Sequence, residues 1–324
     1  MKFRRLAICI MVSTIMAMSA LPSIANDNYD SYPERTVRVI VPFGPGGSGD
    51  LTTRALLQFV DLGKPTVVIN MPGAGSTIGT MEVFHSKPDG YTLLANSPAG
   101  MIVGGLKGLY PEAVFRDMIP IVIMGMDNPV FCVARNSPFK TAQEFFSYAK
   151  ENPGKLKLAS VGMSTMYTSG LVVKDAAGID IKYVAFDSST KSRAALLGGH
   201  VDSLLATISE NKSLIEAGDL RPLFVLSEEK SPFLPDVPTL IDLGYNVTGC
   251  LGTRGIWAPA STPRPIIDKL EAAFMKAAQN KGFQDVFRQG MSIDPVAWNS
   301  AATKAWIEKN SPYYGMLLEK YGKK

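Results

Sequence analysis

The chain has 324 residues, 46% of them hydrophobic, with 33 basic against 29 acidic side chains and a net charge of +4. That length exceeds one comfortable core and points to two domains of ordinary size. The small basic excess sits mostly at Lys2, Arg4 and Arg5, and no cluster of Lys and Arg elsewhere forms the footprint that nucleic acid requires, so no nucleic-acid partner is expected.

Those three basic residues precede an uncharged apolar stretch from Leu6 to Leu21. Ser23-Ile24-Ala25 then fits the small-x-small rule of signal peptidase. Residues 1–25 are read as a signal peptide cleaved after Ala25, and the protein as exported to the periplasm. The apolar run is short for a membrane span, which needs about 20 residues. Cys9 lies inside that run and away from the cleavage point, so no lipid anchor is expected. Without the signal the basic residues fall from 33 to 30 against 29 acidic ones, and net charge falls from +4 to +1. Cys132 and Cys250 remain. They could pair in an oxidising compartment, but two buried free thiols is the preferred reading.

After a polar start, Asn26–Glu34, apolar β-branched runs alternate with segments of helical period. Val37–Phe43 reads as a strand, Ser48–Val60 as a helix, Thr66–Asn70 as a strand, Ile78–Ser86 as a helix and Tyr91–Ala95 as a third strand. The rhythm restarts with strand Val130–Ala134, helix Thr141–Glu151, strand Lys157–Ser160, helix Met166–Ala177, strand Ile181–Ala185 and helix Lys191–Leu197. Strands Val201–Ala206 and Leu223–Leu226, with helix Glu210–Ala217 between them, complete a second sheet. This alternation predicts parallel α/β sheets. Beyond Pro235-Asp236-Val237-Pro238 the pattern changes to one strand, Gly255–Ala258, and helices at Arg264–Asn280, Phe283–Gln289 and Trp298–Leu318. One strand with helices does not make a domain, so this part is expected to complete the first sheet. The expected plan is a discontinuous first lobe, 26–129 with 239–324, and a second lobe, 130–238. The chain crosses near 127–131 and again near 238–254, with a cleft between the lobes.

Four loops follow strands and offer backbone amides and hydroxyls, the chemistry that holds an anion. The first is Phe43-Gly44-Pro45-Gly46-Gly47-Ser48, where Ser48 could also cap the next helix. It matches G-x-G-x-x-G between a strand and a helix. However, the position of a ribose-binding acid falls near Asn70, Pro45 stiffens the turn, and an exported protein has little access to nicotinamide cofactors. Asp50 is awkward beside an anionic ligand and is assigned a structural role, near the helix N-terminus or on loop amides. The other loops are Asn96-Ser97-Pro98-Ala99-Gly100, Gly162-Met163-Ser164-Thr165, and Phe186-Asp187-Ser188-Ser189-Thr190, with Phe186 as an apolar wall. Thr207, just after strand 201–206, is placed with them. Ligands of open α/β sheets sit beyond the carboxyl ends of strands, where these loops lie. Catalytic sets are poorly represented. His85 and His200 read as surface turn residues, and no nucleophile elbow, C-x-x-C or metal-ligand spacing occurs.

Seven motifs in order carry a resemblance across almost the whole mature chain. They are Tyr32-Pro33 with Val39–Phe43 and Pro45-Gly46-Gly47, then Asn70–Gly79, Pro88–Leu94, Ala149–Leu156, Leu197–Asp202, Pro235–Thr239 and Ala258–Pro263. The chain resembles the substrate-binding proteins of tripartite tricarboxylate transporters, the Bug family of periplasmic solute receptors. The resemblance implies a two-lobed, periplasmic-binding-protein-like (type II) fold with a Venus-flytrap cleft. It implies a small carboxylate held by loops of both lobes, no cofactor, no catalytic activity, and delivery to membrane permease subunits by a monomer. By position it assigns the first loop to Phe43–Ser48 and the second-lobe loop to Gly162, Ser164 and Thr165. Departures from the family pattern are Gly44 and Gly49 in place of bulkier residues, Ser164 for a glycine, Thr168 for a histidine, Phe186 without a phenol hydroxyl, and Asp187 for a lysine. An acid at 187 points away from a citrate-like ligand and toward a mono- or dicarboxylate, including one with an aromatic or amino group. The rival readings are a receptor that presents its ligand to a membrane sensor, and an exported hydrolase.

Overall fold

The computed structural model describes residues 29–161, 165–186, 188–245 and 252–321. The segment ending at Tyr32 is a unit of its own with a 3-10 turn at Tyr29–Ser31, and the fold below is that of the unit from Pro33 onward. Its first stretch runs β1 (Val37–Val41), α1 (Ser48–Leu57), β2 (Thr66–Asn70), α2 (Thr77–Phe84), β3 (Thr92–Asn96), α3 (Pro98–Leu106), α4 (Ala113–Asp117) and β4 (Ile119–Met126). The middle runs β5 (Pro129–Ala134), α5 (Ala142–Glu151), β6 (Lys157–Val161), α6 (Thr165–Ala177), β7 (Lys182–Phe186), α7 (Ser189–Leu197), β8 (Ser203–Thr207), α8 (Ile208–Glu216) and β9 (Leu220–Val225). The last stretch holds β10 (Thr253–Ala258), α9 (Arg264–Gln279), α10 (Lys281–Asp285), β11 (Asp294–Trp298) and α11 (Ser300–Tyr321).

Local chemistry explains the boundaries. Thr141 and Glu144 form a reciprocal capping box at the start of α5, satisfying two otherwise orphaned amides. Ser97 caps α3 by accepting from Gly100 N at 3.0 Å, and Pro98 follows in the first turn where its missing N–H costs nothing. Where a regular helix was expected over Phe283–Gln289, α10 ends at Asp285 and Val286–Met291 is π-helical.

The strands form two sheets of order β11-β4-β10-β3-β1-β2 and β7-β6-β8-β5-β9. Both are mixed, which corrects the expectation of parallel sheets. β1, β2 and β3 run parallel, as do β6, β7 and β8. β10 is antiparallel to β3 and β4, β11 to β4, and β5 to β8 and β9. The cause lies at the crossing. β4 passes directly into β5 through Asp127-Asn128 with no helix between them. The returning chain meets it there, Asp127 N donating to Gly252 O at 2.8 Å. β10 therefore starts beside the end of β4 and has to run the other way.

Ile40, Leu94, Ile123 and Trp257 of the first sheet and Phe131, Leu158, Leu205 and Phe224 of the second belong to one continuous buried cluster. α6 joins the two layers by packing on α3 and α11. No helix among the described residues is long and apolar enough to cross a membrane.

Candidate functional site

The glycine-rich loop after β1 is pinned from inside. Asp50 is 3% exposed, and its Oδ2 accepts from Gly46 N at 2.9 Å. Its Oδ1 accepts from Arg54 Nε and from Asn70 Nδ2, each at 2.9 Å. Asn70 Nδ2 also reaches Phe43 O at 3.1 Å. Asn70, at the end of β2, thus takes the position where a ribose-binding acid would stand and uses it to hold the loop. Burial alone would raise the Asp50 pKa, but the Arg54 side chain, the Gly46 amide and Asn70 outweigh it and hold it below the ordinary value. Gly46 has φ +77°, a left-handed conformation that glycine adopts without a Cβ clash. The amide of Gly46 is therefore committed to Asp50, while Gly44-Pro45-Gly46 stays exposed.

Ser48 does not cap α1. Gly47 occupies the N-cap, and no side chain bonds there. The Ser48 hydroxyl donates instead to Asp127 Oδ2 at 3.1 Å and accepts from Arg254 Nη2 at 3.1 Å. Its single proton is directed at Asp127, so what Ser48 can give an anion is its backbone N–H.

Asp127 is fully buried and carries the densest polar contacts of the region. Beyond Ser48, its Oδ2 accepts from Ser209 Oγ at 2.6 Å and Arg254 Nη2 at 3.4 Å, and its Oδ1 accepts from Ser209 N at 3.2 Å. Removing one partner of such a buried pair costs about 3–5 kcal/mol. Arg254 is thereby committed to an internal ion pair. Glu210, next in α8, has its carboxyl pushed up by burial and by the Asp127 charge, with Ser189, Arg254 and Arg193 acting in the opposite sense.

Two of the sequence-predicted hydroxyls meet across the sheets. Ser97 Oγ, after β3, and Thr165 Oγ1, at the start of α6, are 2.7 Å apart and buried. Ser48 and Thr207 are linked indirectly, because Thr207 Oγ1 lies 3.2 Å from Ser209 Oγ, which bonds Asp127. Asn96 is buried, with its carbonyl accepting from Trp257 Nε1 at 2.9 Å and its side-chain oxygen accepting from Ser97 N at 2.8 Å. Phe43, Gly47 and Phe186 are half-buried, Phe186 at the end of β7 against the second sheet's own apolar cluster. Gly162, Ser164, Asp187 and Cys250 lie outside the described residues, as does the whole signal segment. His85 and His200 are exposed. Among the described residues no group of three or more His, Cys, Asp or Glu could hold a metal ion.

Sequence reasoning missed Asp127, Ser209 and Glu210. The available signal was an acid in Asp127-Asn128-Pro129, between two apolar runs, at the expected crossing.

Loops at the carboxyl ends of strands from two mixed sheets, offering amides and hydroxyls and joined side chain to side chain, are the construction of a two-lobed solute-binding receptor. The chain belongs to the family described as tripartite tricarboxylate transporter family receptor, which it matches over residues 56–323. It is similar to Protein BugT of Bordetella pertussis, at 30% identity over 91% of this chain and 92% of that one. Among solved structures it is similar to the periplasmic binding protein BugD, at 29% identity and TM-score 0.75, covering 90% of this chain and 99% of that one. It is also similar to MatC from Rhodopseudomonas palustris with bound malate, at 26% identity and TM-score 0.74, covering 89% and 100%. The family is one of transporter receptors, and this chain is a solute-binding receptor of that family and not an enzyme.

Proposed function

We propose that this receptor captures a small mono- or dicarboxylate between a first lobe, 26–129 with 239–324, and a second lobe, 130–238. It is a monomer, exported with cleavage after Ala25, and hands its cargo to the permease subunits of a tripartite transporter. The observation that carries the reading is the pairing of Ser97 with Thr165, which brings a first-sheet ligand loop and a second-sheet ligand loop to 2.7 Å at the carboxyl ends of their strands. Malate in the related MatC supports a small dicarboxylate as the class. The ligand contacts assigned are the loop residues Phe43, Gly44, Gly46, Gly47, Ser48, Asn96, Ser97, Gly162, Ser164, Thr165 and Thr207, Gly46 as part of the exposed turn and not through its amide, and Ser48 through its backbone N–H, with Phe186 as an apolar wall and Asp187 as a selector against a third carboxylate. Arg254 is left out, because its charge is balanced by Asp127. Closure of the lobes follows only from contacts that the ligand makes better in the closed arrangement.

The test is a thermal-shift screen of the mature protein with malate, succinate, benzoate, citrate and uncharged analogues. A ligand at 100 times its Kd stabilises by about 2.7 kcal/mol, a rise of roughly 4 °C for a chain of this size. Shifts confined to mono- or dicarboxylates support the reading. A preference for fully ionised citrate over every smaller acid removes the ligand class. A shift with neutral or cationic compounds and none with acids removes the anion site.

A further inference from the structure

We propose that Asp127 is a positioning residue that locks the first-lobe ligand loop to the second sheet, so that loop geometry and lobe orientation form a single equilibrium. The proposal rests on the reading of residues 43–48 as part of the ligand site.

Asp127 occupies a two-residue link whose backbone is held from both sides. Its own N–H donates to Gly252 O at 2.8 Å, and Ile208 N donates to Asn128 O at 3.1 Å. From that fixed point a carboxylate with no solvent exposure reaches in two directions. Toward the first sheet it accepts from Ser48 Oγ at 3.1 Å, in the first turn of α1 directly after the glycine-rich loop, and from Arg254 Nη2 of β10 at 3.4 Å. Toward the second sheet it accepts from both the hydroxyl and the amide of Ser209, in the first turn of α8, at 2.6 and 3.2 Å.

One oxygen, Oδ2, is the shared acceptor of both serine hydroxyls. A rotation of the second sheet that draws Ser209 away strips this buried carboxylate of two donors. The carboxylate has to be satisfied by its remaining donors, Ser48 and Arg254, and Ser48 moves with it. Ser48 in turn carries the end of the loop. The linkage is reciprocal, so an occupant that reorients Ser48 biases the position of α8. The charged groups tied to this hub are Arg254 of β10, which bonds Asp127, and Glu210 of α8, on which the Asp127 charge acts; Arg193 of α7 bonds Glu210 O through Nη1 at 2.7 Å and acts on Glu210 in the opposite sense.

The experiment is hydrogen–deuterium exchange on the full mature chain with no ligand added, comparing wild type with Ser209→Ala, Ser209→Thr and Asp127→Asn. Ser209→Ala is expected to raise exchange of the 43–51 segment about 3–10-fold, although among the described residues Ser209 is hydrogen-bonded toward that segment through Asp127. Ser209→Thr, which keeps the hydroxyl, is expected to restore wild-type exchange there. Asp127→Asn is expected to loosen 43–51 at least as much, and Ser209→Ala is expected to add nothing to it. Exchange in α9 serves as a control that all variants leave unchanged. If Ser209→Ala loosens 207–216 while 43–51 keeps wild-type exchange, Asp127 is only a local anchor for α8 and the proposal fails. Additive effects of Ser209→Ala and Asp127→Asn also overturn it. Should Asp127→Asn not fold, the two Ser209 variants still decide the question. Because no ligand enters the measurement, failure of the carboxylate reading in the thermal-shift screen leaves this result standing, and failure here leaves that screen untouched.

Discussion

Gly252 is the position where the smallest change should have the largest effect. A Cβ built on it would lie 1.9 Å from the carbonyl oxygen of Asp127 and 2.9 Å from its carbonyl carbon. Both are backbone atoms, so no side chain can swing aside. Reaching the 3.4 Å at which ordinary contact begins requires the two crossing strands to part by about 1.5 Å. That separation breaks the 2.8 Å bond from Asp127 N to Gly252 O. Overpacking of this kind costs about 1–3 kcal/mol and the lost hydrogen bond about 1 kcal/mol more. Gly252→Ala is therefore expected to destabilise by about 2–4 kcal/mol, a drop of roughly 3–6 °C in melting temperature for a chain of this length. Thermal unfolding followed by circular dichroism measures it. Gly315→Ala is the matched control, since nothing lies within 4 Å of a Cβ at that helical position and the variant should not lower Tm. A Gly252→Ala protein that melts within about 1 °C of wild type would refute the claim that the crossing strands are in backbone contact.

Two further outcomes are expected. The Asp50 carboxyl is held below the ordinary aspartate value near 3.8, so its stabilisation is present above that pH and is lost as pH falls through the lowered value. Asp50→Asn should then cost about 1–3 kcal/mol at neutral pH, with the gap to wild type closing below about pH 4 in acid unfolding; a gap that does not change with pH would contradict the assignment. Cys132 is a free thiol, 1% exposed, with its pKa pushed up by burial, and peptide mass analysis should find it unlabelled by a thiol reagent at pH 8 until the protein unfolds. Prompt labelling of the folded protein would show that the second sheet opens around β5.

Much of the architecture was legible because it rests on local signals. The β-branched runs at 37–41 and 66–70 are strands, and the helix expected from Thr141 starts there as its cap chemistry dictates, whereas 96–100 reads as a loop in sequence although Ser97-Pro98 opens the helix α3. β4 was not legible. Ile119–Met126 is an apolar run containing Pro120 and Gly125, buried through its centre, and it shows no alternation by which a strand could be told from a buried helix. β11 carries Pro295, which demotes a run to an edge strand, and that is where it lies. Strand direction was misread because it is decided by the meeting of Asp127 with Gly252, which no window of sequence contains. The candidate site divides in the same way. Its loops could be found from glycines and hydroxyls next to strands. Its hub could not, since Ser48, Ser209 and Arg254 lie 79, 82 and 127 positions from Asp127.

The carboxylate of Asp50 on the Gly46 amide has a consequence for release as well as for capture. The loop after β1 carries its own anion, which orders the turn at Gly46 before any cargo arrives, so that part of the ordering entropy of a glycine-rich segment is not charged against each binding event. The same internal anion sits in the first turn of α1, where it partly neutralises the positive pole of the helix. The acid of the proposed function would meet one amide fewer and a weakened dipole there. On the proposed reading of 43–48 as part of the ligand site, such a loop grips an anion less tightly than a bare helix terminus would, and the proposed hand-over of cargo is served by a hold that is quick to form and easy to break.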